Sequence, residues 1–280
     1  MLIRLYKNWS RKRLLRNGFP KAWIPYLEDL PFVSKLVTEQ RQRLEELTVV
    51  LIDQVYWEGR AGLEVTDEMR VSVAAQACRL TLALGDDAYR GVQTVYLFPA
   101  TYSAPGGGSG EAGVHGDGAS HRLGEAWLRG PVVLSWDATR RGAANDDDGR
   151  NVIYHEFAHK LDMIDGYADG TPPARNRAAY DTWTKVAGVE FERLKKDTER
   201  GKNTLLDAYG ATNQAEFFAV ATEVFFERPE RLQDRHADLY ACLASFYGQD
   251  PAVPFRSTVP EPKLREFTRR QRSTQRRPAR

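Results

Sequence analysis

Residues 154–163 read YHEFAHKLDM, a stretch in which His155 and His159 stand four apart with Glu156 directly after the first. On a helix, residues four apart share a face, so two imidazoles can address one metal ion. Glu156 lies beside that position, where its carboxylate can take a proton from a water polarised by the ion. A zinc ion draws the pKa of such a water down to about 7, which brings hydrolysis within reach at neutral pH. The bland alternative is a pair of half-buried histidines on an amphipathic helix. With only five histidines in the chain, two falling around a glutamate at this spacing favours the metal. Two ligands do not hold a catalytic zinc, so a third must come from elsewhere.

Three residues compete for that place. The extended pattern HExxHxxGxxH would put Gly at 162 and His at 165, where this chain has Asp162 and Asp165. Asp165 can ligate zinc, but the glycine that would aim it is missing. His236 has suitable chemistry and stands among charges in RLQDRHADLY. Glu216 is the one early acid of an apolar run that follows a turn at Gly210, Thr212 and Asn213. Its ordinary role would be a capping-box partner to Asn213. Glu223, two turns further on the same face, could reach the same cleft or bind the motif helix instead. Charge favours a carboxylate. Two neutral imidazoles and one carboxylate leave a divalent ion at net +1, and three protein ligands leave a position for water, as in hydrolytic zinc sites. Cysteine, the usual ligand of structural zinc, is represented only by Cys78 and Cys242, which match no metal spacing.

Periodicity surrounds the motif with helices and a few strands. Leu44, Leu47, Leu51 and Val55 predict a helix over 38–54, and Asp67 is expected to cap a second that runs to Gly85. GVQTVYLFPA (91–100) and GPVVLSWD (130–137) read as strands. Between them the glycine-rich stretch 104–120 reads as a surface loop able to hang over a cleft. RRGAANDDDGRN reads as a turn-rich connection in which Asp147 or Asp148 caps the motif helix. Its three acids lack the ligand spacing of a calcium loop. The motif helix is expected to end near Asp165-Gly166, and further helices are expected over 176–198, 213–227 and 232–247.

Composition is that of a globular protein, with 42% hydrophobic and 28% charged residues. No apolar run approaches the ~18 residues of a membrane span, and the basic start has no apolar signal region. Two thiols without an export signal point to a reducing compartment, the cytoplasm. The net charge of +2 conceals an asymmetry: residues 1–21 and 263–280 each carry net +7, so the body between them is −12. An acidic body repels phosphates and argues against nucleic acid as the main partner. The expected organisation is a basic N-terminal segment over 1–21, one domain over 22–262, and a basic, unfolded tail over 263–280.

NVIYHEFAHKLDM (151–163) followed by DAYGATNQAEFFAVATEVFFERP (207–229) resembles the Mlc titration factor A family of bacterial zinc peptidases. The resemblance extends upstream to WEGRAGLEVTDEMRVSVAAQACRL (57–80) and GPVVLSWD, covering residues from about 20 to 250. It implies an α+β, zincin-like fold related to the catalytic domain of anthrax lethal factor, mostly helical with a small mixed sheet beside the HExxH helix. It implies one zinc per chain on His155, His159 and Glu216, with Glu156 as general base and Tyr209 supporting the transition state. A phenol is neutral at pH 7 and can donate to a developing oxyanion. Asp162, one turn beyond His159, is expected to accept a hydrogen bond from a ligand imidazole. PVVLSWD is expected to offer a sheet edge to an extended peptide. The implied activity is a metallopeptidase of aminopeptidase character acting on peptides. The alternative is a regulatory protein that sequesters a transcriptional repressor of sugar uptake. The glycine-rich stretch and arginine-rich tail depart from the family's usual picture.

Overall fold

The computed structural model describes residues 11–100 and 130–253. The glycine-rich stretch 104–120, the tail 263–280 and the first ten residues of the basic segment lie outside these residues. A short helix α1 (Ile24–Glu28) precedes α2 (Thr38–Gln54), β1 (Tyr56–Gly59), α3 (Asp67–Leu80), β2 (Thr94–Phe98) and β3 (Val132–Ser135). Then come α4 (Trp136–Ala144), α5 (Val152–Asp162), α6 (Arg177–Glu199), α7 (Gln214–Glu227), α8 (Pro229–Arg235) and α9 (Ala237–Tyr247). No described helix is long and apolar enough to cross a membrane.

The three strands form a parallel sheet in the order β1-β2-β3. Parallel neighbours need a crossover, and α3 supplies it between β1 and β2. An antiparallel member of the expected mixed sheet is not among the described residues. Alternation along the strands buries Val95, Leu97, Val132 and Leu134 against the helices. β3 packs beside α5, and among the described strands it pairs only with β2. Lys160 of α5 ties the two by donating to the carbonyl of Gly130 at 3.0 Å.

α7 is the central helix. Every residue from Phe217 to Glu227 is buried, so the helix is enclosed on all sides, as its nearly unbroken apolar sequence demands. α5 packs along it. α3 is enclosed too, its Ala74, Ala75 and Ala77 allowing close approach of α2 on one side and α5 on the other. Arg79, buried at the end of α3, donates to the Tyr154 hydroxyl at 2.8 Å and to the Phe226 carbonyl at 3.0 Å. One guanidinium thus joins α5 to α7. The result is a mostly helical α+β, zincin-like arrangement.

Four local expectations need correction. α3 is capped by Thr66, whose hydroxyl accepts from Met69 N–H, and it ends at Leu80 rather than Gly85. Residues 136–144 form a helix capped by Ser135, although Gly142 and the acids beyond read as a turn. The cap of α5 is Asn151, which accepts from the N–H groups of Ile153 and Tyr154, and not Asp147 or Asp148. The last helical stretch divides at His236, whose backbone leaves the helical region (φ −141°, ψ 54°) and whose ring pairs with Glu190 at 2.7 Å.

Candidate metal centre

α5 carries His155 and His159 on one face, with His155 only 5% exposed. α7 begins at the same place. Asn213 caps it by accepting from Glu216 N–H at 3.0 Å, but the Glu216 carboxylate does not return the bond as a capping box would. It turns to the imidazoles instead. Glu216 Oε2 lies 2.9 Å from His155 Nε2 and 3.4 Å from His159 Nε2, and the two Nε2 atoms are 3.2 Å apart. Among the described residues this is the one group of His, Cys, Asp and Glu able to hold a metal ion. A tetrahedral zinc with bonds of about 2.0–2.1 Å has ligand atoms separated by about 3.3 Å, so the triangle has the right size. Two imidazoles and a carboxylate are also the right donor set, leaving a fourth position open.

The electrostatics of the metal-free triangle follow from crowding. Burial works to lower the His155 pKa, but hydrogen bonds to Glu216 and Glu223 outweigh it and hold the ring well above its usual value. Burial pulls the Glu216 pKa up, while the two histidines more than reverse this and leave the carboxylate well below its usual range.

The carboxylate behind His155 is that of Glu223. Its Oε1 lies 2.8 Å from His155 Nδ1, and its Oε2 accepts from Asn151 N–H at 2.6 Å. One carboxylate thus orients a ring and anchors the first residue of its helix. A hydrogen bond at Nδ1 leaves Nε2 as the metal-facing nitrogen, so it selects the tautomer as well as the ring orientation. Asp162, expected in this role, turns elsewhere. Its Oδ2 accepts from Gly170 N–H at 2.9 Å because the chain beyond α5 folds back over the helix end. Its Oδ1 is buried without a hydrogen-bond partner among the described residues, and burial pushes its pKa up to about 7.

Glu227, one turn beyond Glu223, accepts from the N–H groups of Gly149 and Arg150 at 2.9 and 3.0 Å. The three acids of α7 therefore meet α5 in sequence, Glu216 at the ligands, Glu223 at ring and cap, and Glu227 at the approach to the helix. Their spacing of seven and then four puts them on one stripe of an apolar helix, a signal readable in the sequence for Glu227 also.

Glu156 is half-buried beside the triangle, and its carboxylate makes no hydrogen bond or ion pair with a described residue. Tyr209 stands on a 3-10 turn, Ala208–Ala211, that Asp207 caps through Tyr209 N–H. Its ring lies 5.9 Å from that of His155, at 41°. Neither rival belongs to this group: Asp165 accepts from Tyr167 N–H, and His236 pairs with Glu190.

Comparison with known proteins places the chain in a family. The family profile described as glucose-regulated metallo-peptidase M90 matches residues 6–248. An uncharacterised protein of Synechocystis is 37% identical over 248 residues, covering 88% of this chain and 90% of that one. Mlc titration factor A of Edwardsiella ictaluri is 34% identical over 79% of this chain and 85% of its own. Its counterpart in Escherichia fergusonii is 31% identical over 82% and 86%. A match over nearly the whole chain, with a converging His-His-Glu triangle at its centre, means that the chain belongs to the Mlc titration factor A family of M90 metallopeptidases.

Proposed function

We propose that the protein hydrolyses peptide bonds with one zinc ion per chain, held by His155, His159 and Glu216. The observation that carries the reading is the triangle of ligand atoms with edges of 2.9, 3.2 and 3.4 Å, backed by Glu223. When bound, the ion supplies Lewis acidity to the scissile carbonyl and acidifies a water. Glu156, with its carboxylate uncommitted, takes the proton of the attacking water and delivers it to the departing amine. Tyr209, across the His155 ring, donates its phenolic hydrogen to the oxyanion. An extended peptide pairs with the outer edge of β3, beside α5. Aminopeptidase character belongs to the same proposal and is read by comparing peptides with free and acetylated N-termini.

Metal analysis and cleavage of a peptide library by wild type and Glu156→Gln test this reading. Zinc at one per chain in both, with cleavage lost only in the variant, supports it. A wild type inert towards the whole library sinks it. A second reading draws on the name of the curated relatives, which points to a protein partner, Mlc. In that reading the chain binds and sequesters a transcriptional repressor of sugar uptake, with hydrolysis secondary. Partner binding that persists in Glu156→Gln, in a protein that cleaves no peptide, is its signature.

A further inference from the structure

We propose that the cleft between α6 and α9 binds a small amphoteric ligand, an apolar or aromatic side chain carrying both an ammonium and a carboxylate, as in an amino acid or dipeptide. The cleft encloses about 290 Å³ and is walled by Pro172, Pro173, Trp183, Val186 and Phe246. None of the metal-centre residues lines it. Its volume is at the lower end of the range of about 300–1,000 Å³ usual for small-molecule sites, too small for a folded partner. Its walls are already fixed. The Trp183 indole N–H donates to the Gly170 carbonyl at 3.0 Å, and its ring meets Phe218 edge-on at 5.6 Å. Two consecutive prolines stiffen the opposite side. Binding therefore orders little that is not ordered beforehand.

Charge selects the ligand class. Arg175 and Asp238 both line the cleft, and neither side chain forms a hydrogen bond or ion pair with a described residue. Nearby Arg177, by contrast, is paired with Asp181. Asp238 lies in the first turn of α9, where the helix dipole favours an acid. Arg175 has no such excuse. It immediately precedes Asn176, the cap of α6, where a cation opposes the dipole. An unpaired guanidinium suits a carboxylate, which it grips through two parallel N–H donors. An unpaired carboxylate suits an ammonium, and the apolar walls between take the side chain.

The test titrates L-phenylalanine and glycyl-L-phenylalanine into the full chain by calorimetry, with 3-phenylpropionate and phenylalaninamide as analogues lacking one charge each. Cys242 lines the cleft while Cys78 is buried, so ligand protection of Cys242 from a maleimide, read by mass spectrometry, locates the site. At least one amphoteric probe should bind and slow Cys242 labelling, and the tighter of the two shows whether amino acid or dipeptide fits. Each single-charge analogue should bind about tenfold more weakly, as loss of one charged hydrogen-bond contact implies. Arg175→Ala should weaken 3-phenylpropionate, and Asp238→Asn should abolish the preference for phenylalanine over it. Both positions are exposed, so the fold should tolerate the changes. The proposal fails if neither amphoteric probe binds, or if 3-phenylpropionate equals phenylalanine. Because such molecules are also products of peptide hydrolysis, the titration is repeated with Glu216→Ala. Binding that disappears there belongs to the metal centre and overturns the proposal, whereas retained binding supports it independently of the peptidase reading.

Discussion

α5 and α7 meet at the metal centre, yet they carry their polar residues in opposite ways. On α5 the two histidines and the glutamate are packed into five consecutive positions. On α7 three acids are spread over Glu216, Glu223 and Glu227 in a helix otherwise built of Phe, Val and Ala apart from Gln214 and Thr222. An apolar, enclosed helix can keep a charged side chain only if each charge has a partner, since an unpaired buried carboxylate is costly. The partners all lie on α5 or its approach. In the proposed site one helix thus presents two ligands, and the other supplies both the third and the carboxylate that aims the first.

The largest effect that separates the two helices comes from removing a ligand as against removing the base. Glu216→Ala should release the metal and abolish cleavage together, as measured by metal content after dialysis. Glu156→Gln should keep the metal and lower kcat by about 10²–10⁴-fold, the usual worth of a general base. Metal retained by Glu216→Ala but released by Asp165→Ala would mean that the third ligand has been misassigned.

A smaller effect tests the scaffold. Glu223→Gln keeps the shape and removes the charge behind His155, and loss of such a partner typically costs about 10–100-fold in metal affinity or activity. Asp162→Asn, by the same measurement, should change affinity little, because Asp162 holds Gly170 rather than a ring. Equal effects from the two variants would erase the distinction between Glu223 and Asp162.

Acid gives a third, graded effect. Without metal, and against the pull of burial, hydrogen bonds to its two carboxylates raise the His155 pKa. Its contribution to metal-free stability is therefore fully present below the unfolded value of about 6.5 and is lost as pH rises through the folded value. Glu216, with a depressed pKa, contributes above its unfolded value and loses that contribution only as pH falls through the folded one. Metal needs the imidazole neutral, so binding must expel the proton. Zinc affinity, measured by chelator competition between pH 6 and 8, should rise with pH by up to about tenfold per unit for one released proton. A flat profile would show that His155 is already neutral.

These comparisons also show which features are legible in the chain. The extent of α2 and the two histidines of α5 follow from local pattern, because leucine periodicity and the HExxH spacing are short-range signals, whereas Glu216 is singled out among its rivals only by the family resemblance. What was hidden depends on contacts between distant segments. β1 is four residues, YWEG, without alternation, and it exists because β2 is there to pair with it. The break at His236 is held by Glu190 on another helix. Asp162 was credited with the ring because it lies one turn away in sequence, whereas Glu223 reaches it from 68 positions along the chain. Local spacing identifies the residues that bear the chemistry more readily than the ones that aim them.

The smallest effect concerns where α5 begins, and it distinguishes two nearby polar residues. Asn151 accepts from two N–H groups of the first turn, and its amide also donates to the buried Gln76 carbonyl at 2.9 Å. Asn151→Ala removes a cap worth about 1 kcal/mol and strands Gln76, a further cost of about 1–3 kcal/mol. Asn151→Ser should recover the cap but not the Gln76 bond, so it should fall between alanine and wild type in denaturant unfolding. Asp147 is exposed, and its contact with Arg228 is a surface pair at 3.7 Å. Asp147→Ala should therefore stay within about 0.5 kcal/mol of wild type. Were the two alanine variants equally destabilised, the helix would draw its start from the acidic turn. Glu223 and Glu227 would then be anchoring a segment that needs no anchor.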